Sequence, residues 1–156
     1  MDANFVNPFI EATLNILETT ASTRAVAGKP YLKKDPMARG DITGMIRLSG
    51  KQNGTVSLSF SESGILTIVS NMFGEPVEAL NEDIKDAVGE IANMISGQVT
   101  NTIAQSGKEF KASLDTVILE AKHQIPHIGK YPAVALPFKT DSGEFTIEIC
   151  FERSGS

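Results

Sequence analysis

Two side chains able to act together stand three residues apart in GEIANMISGQ, residues 89–98: the carboxylate of Glu90 and the carboxamide of Asn93. A carboxamide has one acceptor and two donors. Asn93 can therefore accept from a water while donating to an oxyanion, which suits it to aiming water at phosphorus. Phosphoryl transfer depends chiefly on positioning and electrostatics. A carboxylate does not bind phosphate, because like charges repel; its natural partner is a lysine or arginine on a docked molecule. The pair combines a group suited to chemistry with a group suited to docking.

Both residues must be held on one face of something rigid. The stretch around them has helical rhythm from about Asn81, a plausible N-cap followed by Glu82 and Asp83 where carboxylates suit the helix dipole, to about Ser106, with Gly107 as the stop. At about 100° per residue, Ile84, Val88, Ile91, Ile95, Val99 and Thr102 fall on one stripe, the expected core side. Asp86, Glu90, Asn93 and Gly97 fall opposite it. A spacing of three makes Glu90 and Asn93 neighbours on that face. Glycine in a helix interior costs about 1 kcal/mol relative to alanine, and this helix has Gly89 and Gly97. Gly97, one turn past Asn93, removes a side chain from the face that holds the pair, which suits close approach by another molecule. Met94 is expected as an apolar contact at the rim. The alternative for such a face is plain solvation.

Other signals carry less. His123 and His127 in HQIPHIG are four apart, but Pro126 denies them a regular helix. A metal site would need further ligands, so they read as loop histidines. GMIRLSGKQ lacks the spacing of a phosphate loop, has Gln52 in place of Ser/Thr, and precedes a strand pattern. Cys150 is the only cysteine and excludes an intrachain disulfide. It falls on the strand face that carries Glu148 and reads as a small, partly covered residue. Asn53-Gly54-Thr55 matches a glycosylation acceptor, which has no meaning without secretion.

The 156 residues favour a single domain, with 41% hydrophobic and 21% charged residues, ample for a core. The net charge of −5 and the lack of a basic cluster argue against a nucleic-acid surface and leave a basic protein partner open. The start, MDANFVNPF, does not read as a signal peptide, and no apolar run approaches a membrane span. The cytoplasm is the expected location.

Along the chain, residues 3–21 read as a helix with Phe5, Phe9, Leu14 and Leu17 toward the core. Pro8 either opens that helix or sits one turn inside it. KPYLKK reads as a short strand, and DITGMIRLSG and GTVSLSFS as a hairpin with one wet face. ESGILTIVSNMFG returns to helical spacing through Ile65, Ile68 or Val69, and Met72, and stops at Gly74 and Pro76. KASLDTVILEA, YPAVALPFK and EFTIEICFE complete the chain as strands, the last two joined by the turn TDSG. The order is a helix and three strands, used twice with an extra helix between. The expected fold is α/β (α+β), a mostly antiparallel sheet covered by long helices with a pseudo-twofold repeat, over 1–153 with 154–156 as a tail.

Glu90, Asn93, Met94 and Gly97, preceded by Gly89, resemble the signature of the CheC/CheX/FliY phosphatases, which act on phosphorylated CheY in chemotaxis. The order of elements is similar to that family over almost the whole chain, and the opening MDANFVNPFIEATLNIL is most similar to its CheX branch. The resemblance implies a CheC-like fold and dephosphorylation of a CheY-like response regulator. Glu90 would pair with a lysine of the regulator and Asn93 would orient the attacking water. Gly89, Met94, Gly97 and Asp86 would frame the docking face. The Mg²⁺ would belong to the regulator, this chain would bind no cofactor, and the protein would form a homodimer. CheC-type relatives often repeat the motif on the first helix. Here that helix has Glu11 and Asn15, four apart, which implies one active site. The competing expectation is a CheC-like domain that binds a regulator or flagellar-switch partner without catalysis.

Overall fold

The alternation of apolar and hydroxyl residues in the middle of the chain forms the sheet that carries everything else. The structure, a computed structural model, describes residues 3–50, 52–120 and 122–152, with side chains from Val6 onward among the N-terminal residues. Phe5 as a core position and the tail 154–156 lie outside the described side chains and residues. The elements are α1 (Ala3–Ala21), β1 (Val26–Ala27), β2 (Tyr31–Lys33), β3 (Ile42–Gly50), β4 (Gly54–Phe60), α2 (Glu62–Phe73), α3 (Glu82–Ala104), β5 (Phe110–Leu119), β6 (Ala133–Thr140) and β7 (Gly143–Phe151). Pro8 lies inside α1, the second of the two placements open to it.

Among the described residues, seven strands form one sheet in the order β1-β6-β7-β4-β3-β5, with β2 also on β6. The pairings are antiparallel throughout. Reading the order from either end exchanges β2 with β5, β3 with β6 and β4 with β7, so the two halves of the chain meet about a pseudo-twofold between β4 and β7. Each half gives its first strand to the other: β5 pairs β3, and β2 pairs β6. The first half holds one more short strand than expected, because β1 and β2 are two pieces of one edge. They part opposite Pro137, which has no N–H to offer, and Gly28 donates to the Pro137 carbonyl at 2.7 Å.

One face of the sheet is apolar. Ile42, Ile46, Leu48, Val56, Leu58, Phe60, Phe145, Ile147 and Ile149 are buried there in one cluster with Phe9 and Leu17 of α1, Ile65 and Ile68 of α2 and the stripe of α3. Gly44 lets α3 come close: a Cβ there would lie 3.1 Å from Val88 Cγ1. α2 begins at the N-cap Ser61 and ends at Gly74, whose φ of 72° supplies the left-handed turn.

The polar face of the hairpin, expected to be wet, is exposed only at Arg47 and Ser49 near the end of β3. All seven residues of β4 are buried, and β3 is buried from Ile42 to Ile46. The hydroxyls of Thr43, Thr55, Ser57 and Ser59 lie under two irregular segments, 34–41 and 120–132. These segments bind each other, Ala38 N to the His123 carbonyl at 3.0 Å and Ile125 N to the Pro36 carbonyl at 2.7 Å. The histidines are buckles and not loop ornaments. His123 Nδ1 donates to the Glu120 carbonyl at 2.6 Å, so its Nε2 accepts from Thr43 Oγ1 at 2.5 Å. His127 Nδ1 meets Thr55 Oγ1 at 2.6 Å. Beneath them Lys33 Nζ is 3.1 Å from Glu148 Oε2, both side chains fully buried, and donates to the Asp35 carbonyl at 2.7 Å. Cys150, expected to be partly covered, is buried in this layer.

Candidate functional site

α3 starts where its sequence signals a start. The Asn81 side chain accepts from Ile84 N at 3.1 Å, and Glu82 and Asp83 stand in the first turn, where they favour the positive end of the helix dipole. The helix closes at Ala104 with Gln105 as C-cap, two residues before the expected end, and Gly107 at φ 81° turns the chain into β5. Ile84, Val88, Ile91, Ile95 and Val99 are buried. Thr102 is not: it is exposed, its hydroxyl returns to the Gln98 carbonyl at 2.9 Å, and Ile103 takes the core position. A helix lying across a twisted sheet meets a changing direction of support. The buried side of α3 accordingly winds toward Ser96, Val99 and Ile103, away from the straight stripe that residue counting assumes.

On the opposite side Asp86, Glu90, Asn93 and Gly97 are all exposed. Among the described residues, neither the Glu90 carboxylate nor the Asn93 carboxamide is engaged by a hydrogen bond or an ion pair. Both are therefore free to bind something else while the helix beneath them is fixed by its core. A Cβ on Gly97 would meet nothing within 4 Å. Side chains on a helix lean toward its N-terminus, so a side chain at 97 would lie over Asn93; its absence leaves the carboxamide uncovered. Met94 is half-buried and packs on the core, at the edge of the strip.

Gly89 does not belong to this face. It is buried against β5, where a Cβ would stand 3.4 Å from Leu114 Cδ2 and 3.6 Å from Val117 Cγ2. It cannot touch a partner directly. Its place in the sequence beside Glu90 hid this, because adjacent helical residues point about 100° apart.

α1 offers no second pair. A carboxylate three residues before Asn15 would fall at Ala12, which is fully buried in the core. The Asn15 carboxamide itself is engaged, donating from Nδ2 to Gln98 Oε1 at 2.9 Å. His123 and His127 serve different hydroxyls, and among the described residues no group of three or more His, Cys, Asp or Glu side chains is arranged to hold a metal. Among the same residues no helix is long and apolar enough to cross a membrane.

Sequence reasoning read His127 as a loop histidine, named Glu148 only beside Cys150, and passed over Lys33 and Tyr131, the side chains that meet them. The Tyr131 phenol lies with its ring 5.6 Å from that of His127 and 5.5 Å from Lys33 Nζ. Burial first, and the Glu148 carboxylate second, push it above its ordinary pKa. The signal available was Glu148 inside the apolar run TIEICF, a charge that a half-covered strand would not need to hide.

Residues 42–139 match the family model described as chemotaxis phosphatase CheX. The CheY-P phosphatase CheX of Thermotoga maritima is 27% identical over 157 residues, 99% of this chain and 100% of that protein. The solved structure of chemotaxis protein CheX from Vibrio vulnificus is 40% identical, with a TM-score of 0.86 over 95% of this chain and 99% of that one. A CheX–CheY–BeF₃–Mg²⁺ complex from Borrelia burgdorferi shares the fold at 19% identity, with a TM-score of 0.68 over 96% of this chain and 98% of that one. With its antiparallel CheC-like sheet, its three helices and a family model that matches more than half its length, this chain belongs to the CheX family of CheC-like CheY-P phosphatases.

Proposed function

We propose that this chain ends a chemotaxis signal by hydrolysing the aspartyl phosphate of a CheY-like response regulator, and that Glu90 and Asn93 carry the work. The observation behind the assignment is the free, exposed Glu90/Asn93 pair on a helix whose opposite side is locked into the core. Glu90 pairs with a lysine of the regulator and brings α3 against the phosphorylated site. Asn93 accepts a hydrogen bond from the attacking water at Oδ1 and donates from Nδ2 to a phosphoryl oxygen. Water attacks phosphorus in line with the aspartyl oxygen, and the products are inorganic phosphate and the free regulator carboxylate. The Borrelia complex contains Mg²⁺ with CheY and beryllofluoride. In our reading the Mg²⁺ is the regulator's, and this chain contributes no ligand to it. Asp86, Met94 and Gly97 frame the contact. Residues 1–153 work as one domain in the cytoplasm, as a homodimer that leaves both faces open.

Single-turnover loss of phosphate with the phosphatase in excess tests this. Asn93→Ala should lower kcat about a hundredfold, about 3 kcal/mol of barrier, with affinity and melting temperature little changed. Glu90→Lys should raise KM, because it sets like charges against each other. If Asn93→Ala turns over at the wild-type rate, the carboxamide is not the catalytic group. If wild type does not exceed the regulator's own decay, the chain docks without catalysis. A monomer by light scattering at high micromolar concentration would remove the dimer.

A further inference from the structure

The two faces of the sheet are covered in different ways. Segment 34–41, between β2 and β3, and segment 122–132, between β5 and β6, are counterparts under the pseudo-twofold, and both cross the face away from the helices. No described residue of either segment belongs to the apolar cluster that fastens the helices to the sheet. Among the described residues of both, only His123 and Ile125 are buried. A cover that hides so little apolar surface opens locally, at less cost than the whole fold.

Main-chain bonds join the two segments to each other. Ala38 N donates to the His123 carbonyl and Ile125 N to the Pro36 carbonyl, with Met37 bridged to Gln124 between them. Asp35 braces the first segment, accepting from Met37 N at 3.0 Å and from Arg39 Nη2 at 2.9 Å. Apart from Asp41, where the first segment runs into β3 and bonds Phe60, the ties to the sheet use side chains. His123 meets Thr43, His127 meets Thr55, Ile128 N donates to Thr55 Oγ1 at 3.3 Å, and Cys150 Sγ donates to the Lys130 carbonyl at 3.6 Å. Glu148 is a post that both segments reach. Its Oε2 is 3.1 Å from Lys33 Nζ, which donates to the Asp35 carbonyl, and its Oε1 is 3.4 Å from His127 Nε2. Burying such charges is costly however well they pair, and lifting the cover returns water to them.

We infer that segments 34–41 and 122–132 move as one strap, which lifts off the sheet while the helices and the sheet stay folded. The open form uncovers the Lys33–Glu148 pair, the hydroxyls of Thr55 and Ser57 and the thiol of Cys150, all on the face away from the helices. Cys150 reports the motion. It is the only cysteine, it is buried, and the strap lies on it: a Cβ on Gly129 would stand 2.9 Å from Sγ. The strap is independent of the proposed chemistry at α3, so its test needs no regulator.

The test labels the native full-length protein with a dipyridyl disulfide at one pH and divides the rate by that of the unfolded protein. Denaturant melts followed by circular dichroism give the globally unfolded fraction in parallel. Wild-type labelling should exceed that fraction by about tenfold or more and change little at low denaturant. Ile65→Val, in the core of α2, lowers global stability and should leave labelling within about twofold; a rise of about fivefold, in step with the unfolded fraction, overturns the strap. Ile125→Ala should speed labelling about tenfold or more with the native circular dichroism kept. Asp35→Ala loosens only the first segment, whereas the second covers the thiol, and should still speed labelling about threefold or more. No change with Asp35→Ala overturns the joint motion. No change with Ile125→Ala, or wild-type labelling as fast as in the unfolded protein, overturns the strap as the cover of Cys150.

Discussion

Gly97→Ala separates what the glycine costs the fold from what it gives the site. The added Cβ meets no atom within 4 Å, and Gly97 is exposed in the interior of α3. Nothing in the packing opposes the change, so the helix gains the difference in propensity, about 1 kcal/mol. For a chain of this size that raises the melting temperature by about 2–4 °C. The same methyl leans over Asn93 and holds a docked surface off by roughly its own radius. A misplacement of about 1 Å is enough to cost up to a hundredfold in a positioned reaction. We expect kcat/KM to fall at least tenfold, or about 1.4 kcal/mol. Gly89→Ala is the control. It gains the same helix propensity, its Cβ reaches Leu114 and Val117 at the ordinary contact distances of 3.4 and 3.6 Å, and it lies buried away from the partner. It should be stabilised with activity intact. The assay is a thermal melt of each variant beside single-turnover dephosphorylation. A Gly97→Ala protein that is more stable and as active as wild type would refute the close-approach argument. One that is less stable would refute the account of the exposed face.

Asn81→Ala removes the N-cap bond to Ile84 and should cost about 1 kcal/mol, read as a drop of about 2–4 °C in melting temperature. Lys33→Met removes the lysine from the buried Glu148 carboxylate, leaving it only the His127 ring at 3.4 Å, and should destabilise by about 3–5 kcal/mol in denaturant titration. Lys33→Met/Glu148→Leu should cost less than Lys33→Met alone, and a cost equal to the sum of the two single changes would mean the two charges do not depend on each other. The Tyr131 phenol is raised in the folded state by burial and then by Glu148, so the folded form holds its proton more tightly than the unfolded form does. Its contribution is complete below the ordinary phenol value of about 10 and is lost as pH rises through the raised one. Wild type should therefore lose stability above about pH 10 more steeply than Tyr131→Phe, and parallel alkaline curves would exclude the phenol as the cause.

How much of this was legible in the sequence depended on the range of the interaction involved. The exposure of Glu90, Asn93 and Gly97, the cap at Asn81 and the stop at Gly74 follow from residues within a turn or two of each other, and periodicity reports such relations directly. The hairpins β3–β4 and β6–β7 are local as well, since their turns join neighbouring segments. Three features needed the whole chain. Gly89 is buried because β5, more than twenty residues later, packs on that flank of α3. Ile103 and not Thr102 enters the core because the sheet beneath α3 twists, a property of paired strands and not of the helix. The hydroxyl face of β4 looked wet because serine and threonine read as polar in either setting. Whether they meet water or buried partners was decided by segments from opposite halves of the chain, 34–41 and 120–132, the second of which brings His123 to Thr43 and His127 to Thr55. Alternation in a strand fixes which side chains share a face; only tertiary packing determines what covers that face.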